Sequence, residues 1–190
     1  MDVLKINSFS DKYIEQIIDI HMKAFNIEPE YKNWTYINFL SQISDTKQGI
    51  YILVDQDKVI ARADIVNNKL YSFDEDNTLY LFNFSRIYDD RYKGAGKLLL
   101  DFLIDHYSKS YNINENNNFE YYSNIKLLVQ DDNQKLINYY KTFGFEEIKL
   151  PNDVYSILEK KKVKIADENK IRYGMKNATI LRKKIDRNHK

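Results

Sequence analysis

The chain has no cysteine, and its 190 residues include only 2 prolines and 5 glycines. Without thiols there is no disulfide scaffold, no thiolate metal site and no cysteine nucleophile. With so little proline and glycine, turns fall to Asn, Asp and Ser. The five glycines (Gly49, Gly94, Gly96, Gly144 and Gly174) are therefore expected where no side chain fits. Long apolar runs are also missing: nothing approaches the roughly 18 residues of a membrane-spanning helix. Met1-Asp2-Val3-Leu4-Lys5 does not read as the start of a secretory signal. Neither sign of charge is in excess. The 29 basic and 28 acidic residues give a formal net charge of +1, unlike the balance of a general nucleic-acid binder. The expectation is a cytoplasmic protein with neither membrane nor nucleic acid as a partner.

What is present suffices for a core. Hydrophobic residues make up 43% and aromatics 14%, which argues against disorder. A chain of this length hides roughly 70% of its unfolded surface and needs no metal to fold. Residues 1–190 are read as a single domain, with no repeat and no linker.

Residues 3–8 alternate like a short strand. A helix capped by Ser10 or Asp11 runs to Phe25, with Ile14, Ile17, Ile18, His21, Met22 and Phe25 on one face. A second helix covers 33–44, with Trp34, Ile37, Phe39, Leu40 and Ile43 as its apolar members. Strands 50–55 and 59–66 flank a hairpin turn at Asp55-Gln56-Asp57-Lys58. Residues 78–87 form the strongest strand signal. A helix over 95–109 spaces Leu98, Leu99, Phe102, Leu103 and His106 or Tyr107 for burial. The Asn-rich run 112–123 reads as an exposed loop. Strand 124–130, helix 133–143 and strand 145–149 follow. A charged loop over about 151–175 precedes a terminal strand within about 176–186. The order β-α-α-β-β-β-α-β-α-β-β predicts an α/β (α+β) fold. Its sheet is mixed, mostly antiparallel and of six to seven strands, with about four flanking helices.

The chemistry concentrates in Asp89-Asp90-Arg91-Tyr92-Lys93-Gly94-Ala95-Gly96-Lys97, between the best strand and the best helix. Two glycines at a strand-to-helix turn let backbone N–H groups converge beside the positive end of the helix. Arg91, Lys93 and Lys97 add positive charge. The segment reads either as a phosphate or pyrophosphate site or as a glycine turn with solvated basic residues. It is neither the nucleotide P-loop nor G-x-G-x-x-G.

Arg91-Tyr92-Lys93-Gly94-Ala95-Gly96 resembles motif A of the GNAT superfamily of N-acetyltransferases, Arg/Gln-x-x-Gly-x-Gly/Ala. Asn133-Gln134-Lys135-Leu136-Ile137-Asn138-Tyr139-Tyr140-Lys141-Thr142-Phe143-Gly144-Phe145 is similar to a second family motif, Asn-x-x-Ala-x-x-x-Tyr-x-x-x-Gly-Phe, with Leu136 for the usual Ala. Gly144 stands where a helix C-terminus needs positive φ. The resemblance covers about 75–150 best, and its nearest likeness is to the ribosomal-protein-alanine and N-terminal-amine branch.

This resemblance implies a sheet splayed between its fourth and fifth strands, with acetyl-coenzyme A (acetyl-CoA) in the gap as co-substrate and no metal. The backbone of Phe84, Ser85 and Arg86 would bind the pantetheine arm and polarise the thioester carbonyl. Arg91, Tyr92, Lys93, Gly94, Ala95, Gly96 and Lys97 would hold the pyrophosphate, and Asn133 would contact the coenzyme. Tyr140 matches the family's general acid. Tyr80 occupies the strand position of the usual Glu base, as in some members that acetylate protein N-termini. Asp64 and ordered waters are further candidates for proton removal, whereas Leu128, at another family base position, cannot serve. His21 and His106 read as packing residues. Phe25, Trp34 and Tyr155 are similar to the aromatic substrate wall of that branch. The acceptor is expected to be an amine, on a peptide or protein or on a small molecule, and the protein a monomer or homodimer. A non-catalytic acyl-CoA-binding module remains open.

Overall fold

The computed structural model describes residues 1–6, 12–44, 48–67, 77–113, 119–130, 132–148 and 178–185. In chain order they form β1 (Asp2–Ile6), α1 (Ile14–Ala24), α2 (Lys32–Ser44), β2 (Gln48–Asp55), β3 (Lys58–Asn67) and β4 (Thr78–Arg86). Then come α3 (Ala95–Ser108), β5 (Tyr111–Ile113), β6 (Phe119–Tyr121), β7 (Asn124–Gln130), α4 (Gln134–Lys141), β8 (Glu146–Ile148) and β9 (Ala178–Lys184). Seven strands make one mixed sheet in the order β1-β2-β3-β4-β7-β9-β8. Every neighbouring pair is antiparallel except β4 with β7, which is parallel. The class, the mostly antiparallel sheet and the four helices are those expected.

Strand β2 is apolar on both faces because both faces are covered, whereas β3 buries Arg62 and Asp64 on the α1–α2 face. Ile50 and Ile52 of β2 pack with Ile14, Ile17, Ile18 and Met22 of α1 and Phe39 of α2. Their neighbours Tyr51 and Leu53 face the other way and join Leu99, Leu100 and Leu103 of α3 and Ile137 and Tyr140 of α4. Each fully buried Ile or Leu contributes about 1.5–3 kcal/mol relative to exposure. The expected hairpin at 55–58 forms, with Gln56 (φ 45°) and Asp57 (φ 68°) both left-handed, as a two-residue turn requires. That turn also pins α1: Gln16 donates to the Asp57 carbonyl (3.0 Å) and accepts from the Val59 N–H (2.9 Å).

Three expectations need correction. Residues 112–123 are not all loop, because Tyr111–Ile113 pairs with Phe119–Tyr121 in a two-stranded sheet that brings the Tyr111 and Tyr121 rings together at 6.1 Å. Leu98 and Phe102 are not buried but 51% and 38% exposed. The buried face of α3 is Ala95, Gly96, Leu99, Leu100, Leu103 and Tyr107, which turns Leu98 and Phe102 outward. Helix α1 ends at Ala24, so Phe25, expected on its apolar face, is the C-cap and 48% exposed, while Ile20 is buried. The charged segment expected over 151–175 lies outside the described residues.

Candidate functional site

The site grows from a mismatch in pairing. β4 pairs with β7 only at Thr78–Asn124, Leu79–Ile125 and Tyr80–Lys126. Beyond these pairs, β4 continues along β3 to Arg86, and β7 continues along β9 to Gln130. The two central strands therefore diverge into a cleft. Ile87 N–H donates to the Ile60 carbonyl (3.0 Å), and Arg86 pairs opposite Ala61. Alternation along an antiparallel ladder then turns the Arg86 N–H away from β3, toward the cleft.

A bulge interrupts β4 just before this stretch. Arg62 lies opposite Ser85 and Asp64 opposite Phe82, so Asn83 and Phe84 together face the single residue Ala63. Asn83 takes φ 48°, a left-handed conformation that Asn tolerates better than most residues. The bulge puts Phe82 and Asn83 on the α1–α2 face and sends the Phe84 ring to the α3–α4 core. Buried Ser85 donates its hydroxyl to the Asn83 carbonyl at 3.3 Å.

Two glycines let the chain turn from β4 into α3. Gly94 caps the helix at φ 96°, and a Cβ there would meet nothing within 4 Å, so its surroundings are open. Gly96 is the opposite case: a Cβ would lie 3.3 Å from the Tyr139 hydroxyl and 3.4 Å from the Phe84 ring. Arg91, Lys93 and Lys97 are exposed around this helix start. Arg91 forms a two-pronged pair with Asp89, Nε to Oδ1 at 3.0 Å and Nη2 to Oδ2 at 2.6 Å. The Asp89 carboxylate also accepts from the Arg91 N–H at 3.1 Å. The Arg91 side chain, then its N–H, hold the Asp89 carboxyl down at about 2. Half-buried Tyr92 sits beneath Lys58 and Arg91, at 5.1 and 5.8 Å from its ring centre. Lys97 pairs with Asp101 at 2.7 Å, and buried Ala95 anchors the first turn. An exposed helix start with open backbone and exposed cations fits a pyrophosphate.

Helix α4 brings the second motif to the same place. Asn133 caps it, its side-chain oxygen accepting from the Leu136 N–H at 3.1 Å. Gly144 ends it at φ 79°, as the motif requires. Tyr140 is only 4% exposed, and its ring packs on Phe84 (6.1 Å), Tyr139 (5.5 Å) and Phe145 (5.7 Å). Burial, and secondarily Tyr139, push the Tyr140 phenol well above its ordinary range. It is therefore protonated at neutral pH and has a proton to give. Tyr139, whose phenol is also raised by burial, was missed in the sequence. The signal available was its adjacency to Tyr140.

The opposite face holds the remaining candidates. Tyr80 is wholly buried and stacks with Phe82 at 5.9 Å. Asp64 is 1% exposed and accepts from Arg62 on both oxygens, at 2.9 and 2.6 Å, and from the Asn83 amide at 2.7 Å. Both Asp64 oxygens thus have structural partners, which weighs against Asp64 as a base. Phe25 and Trp34 are 48% and 43% exposed, at the end of α1 and the start of α2. Tyr155 lies outside the described residues. His106 is exposed and stacks on Phe102 at 5.7 Å, with partial desolvation as the first cause lowering its pKa, while Tyr107 takes the buried place. Among the described residues no helix is long and apolar enough to cross a membrane, and no cluster of His, Asp and Glu could hold a metal ion.

No protein-family model and no curated protein sequence matches the chain. Solved structures do. An aminoglycoside 6'-acetyltransferase type Ii superposes with a TM-score of 0.65 at 14% identity, over 98% of each chain. The ribosomal-protein-S18-alanine N-acetyltransferase from Escherichia coli gives 0.61 at 19% identity, over 97% of this chain and 94% of that one. Tetrahymena GCN5 gives 0.60 at 13% identity, over 98% of each. At such identities the likeness concerns architecture, and the chain has the fold shared by the acetyltransferases of the GNAT family.

Proposed function

We propose that the protein is an acetyl-CoA-dependent N-acetyltransferase that acts on a primary amine. The observation that carries this reading is a single convergence. The cleft between β4 and β7, the glycine-lined start of α3 and the buried Tyr140 of α4 all meet around Phe84. Arg91, Tyr92, Lys93, Gly94, Ala95, Gly96 and Lys97 hold the pyrophosphate, and Asn133 contacts the coenzyme. The coenzyme supplies an activated acetyl thioester. Backbone N–H groups of the Phe84–Arg86 stretch stabilise the negative charge that develops on the thioester carbonyl oxygen. The amine enters from the α1–α2 side, past Phe25 and Trp34, with Tyr155 in the same wall. It must be neutral to attack, so an α-amine near pKa ~8 is easier to use than a lysine near ~10.4. A C–N bond forms, the C–S bond breaks, and Tyr140 delivers its proton to the departing sulfur and regains one from water. The amine's surplus proton leaves through water near Tyr80, which orients the incoming nitrogen. The acceptor is proposed to be a protein N-terminal α-amine or a lysine.

A second reading rests on Asp64. With that carboxylate engaged and Tyr80 fully buried, the central strands β3, β4 and β7 offer no carboxylate besides Asp64. This supports either a small-amine acetyltransferase that loses its proton to water or a regulatory module that binds acyl-CoA without turnover. The deciding experiment measures thiol release from acetyl-CoA with three acceptor panels: peptides with free α-amines, N-terminally blocked lysine peptides, and small amines. Release with the first panel supports the proposal. Release only with small amines moves the acceptor. Coenzyme binding without release to any panel supports the non-catalytic module.

A further inference from the structure

Arg62, Asp64 and Asn83 form a buried chain of hydrogen bonds that the reaction above does not use. The two charged members are 2% and 1% exposed. The Arg62 guanidinium lies 4.8 Å from the centre of the Phe39 ring, so α2 covers the pair. Beside that two-pronged grip, Asp64 Oδ2 also accepts from the Asn83 amide at 2.7 Å. Asn83 is the left-handed residue of the β4 bulge, and the next residue, Phe84, packs on the opposite face against the α3–α4 core. A register shift of this kind has competing pairings, because a one-residue slip exchanges the two faces of a strand. A buried, hydrogen-bonded ion pair is best employed in choosing among such alternatives.

From this geometry we infer that Asn83, clamped by the Arg62–Asp64 pair, is a positioning residue that fixes the β4 bulge and aims the Phe84–Arg86 backbone at the thioester. The inference rests on the acetyl-transfer reading for what that backbone does. The clamp itself rests on hydrogen bonds and register alone. It links the acceptor face, where α2 covers Arg62, to the coenzyme cleft.

The test compares wild type with Asn83→Asp and Asn83→Gly. The first keeps a residue tolerant of positive φ but turns a carboxylate toward Asp64. The second keeps the conformation and removes the bond. Residue-resolved amide exchange reads the bulge, and calorimetry with acetyl-CoA and with CoA reads the coenzyme. In both variants exchange at Ser85 and Ile87, the amides that alternation turns toward β3, should rise roughly tenfold or more, with β2 unchanged. CoA affinity should stay within about threefold, while the ratio of acetyl-CoA to CoA affinity shifts by more than about threefold. A change in overall stability alone would not move that ratio. Wild-type exchange and an unchanged ratio in Asn83→Asp overturn the inference, and so does a change confined to Asn83→Gly, which reports only glycine's own freedom. If wild type binds neither ligand, the acetyl-transfer reading falls and takes the thioester role with it. The exchange rates then still decide whether the clamp holds the bulge.

Discussion

Gly96 and Tyr139 share a gap with no room for a methyl group to spare: a Cβ on Gly96 would lie 3.3 Å from the Tyr139 hydroxyl. Phe84 closes the same gap from β4, 3.4 Å from that point. Gly96→Val should therefore push α3 off α4, costing about 1–3 kcal/mol as overpacking does. Chemical denaturation checks the cost. Gly96→Ala should cost less, since Tyr139 can retreat by a few tenths of an ångström.

Gly94 fails for a different reason. Its surroundings are open, but at φ 96° any other residue is strained. Gly94→Ala should lose about 1–3 kcal/mol, with no clash to relieve by a second substitution. Denaturation of the single variant and of Gly94→Ala combined with Tyr139→Phe should give the same loss.

Tyr140→Phe keeps the ring that packs on Phe84, Tyr139 and Phe145 and removes only the hydroxyl. Turnover should fall by roughly 10²–10⁴-fold, the usual worth of a general acid. Acetyl-CoA affinity should hold, as calorimetry would show. Equal losses of both would mean that the hydroxyl supports binding rather than proton transfer.

Asn133→Ala removes the α4 cap formed with the Leu136 N–H at 3.1 Å and should cost about 1 kcal/mol. Asn133→Ser restores the cap with a shorter side chain. If Asn133 also contacts the coenzyme, the serine variant regains stability but not CoA affinity. Full recovery of both would reduce its role to capping.

The Asp89–Arg91 pair gives the segment before α3 an acid-sensitive contact. Arg91 lowers the Asp89 carboxyl from the ordinary 3.8 to about 2. A lowered carboxylate contributes stability above its unfolded value, and that contribution is lost as the pH falls through the folded one. Wild type should thus exceed Asp89→Asn in stability near neutral pH, and the difference should vanish by about pH 2. Denaturation of the two proteins across that range checks it.

The parts legible in sequence were those that local chemistry dictates. The left-handed Gln56-Asp57 turn, the apolar runs of β2 and β3, the Gly94–Gly96 helix start and the Gly144 stop each declare themselves within a few residues. The bulge at Asn83 did not, because it exists only as a shift between β3 and β4 in the pairing of Arg62 and Asp64. For the same reason Asp64 reads as a candidate base: alternation puts Arg62 and Asp64 on one face, but nothing local announces that α2 covers them and that Asn83 reaches Asp64 from β4. Leu98 and Phe102 followed helical spacing but lie beside the buried stripe of α3, where only the packed sheet decides which edge is covered. The short β5–β6 pair was hidden by the polar residues between its strands.

Acetyl-CoA binding, measured by calorimetry on wild type and on Gly94→Glu, tests the account most directly. Wild type should bind and the variant should not, since a carboxylate at the open Gly94 position repels a pyrophosphate and strains the backbone. At a ligand concentration about 100 times Kd, binding should also add roughly 2.7 kcal/mol to the stability of wild type alone. Absence of binding in both proteins would contradict the assignment of the cleft, and the roles given to Phe84, Gly94 and Tyr140 would fall together.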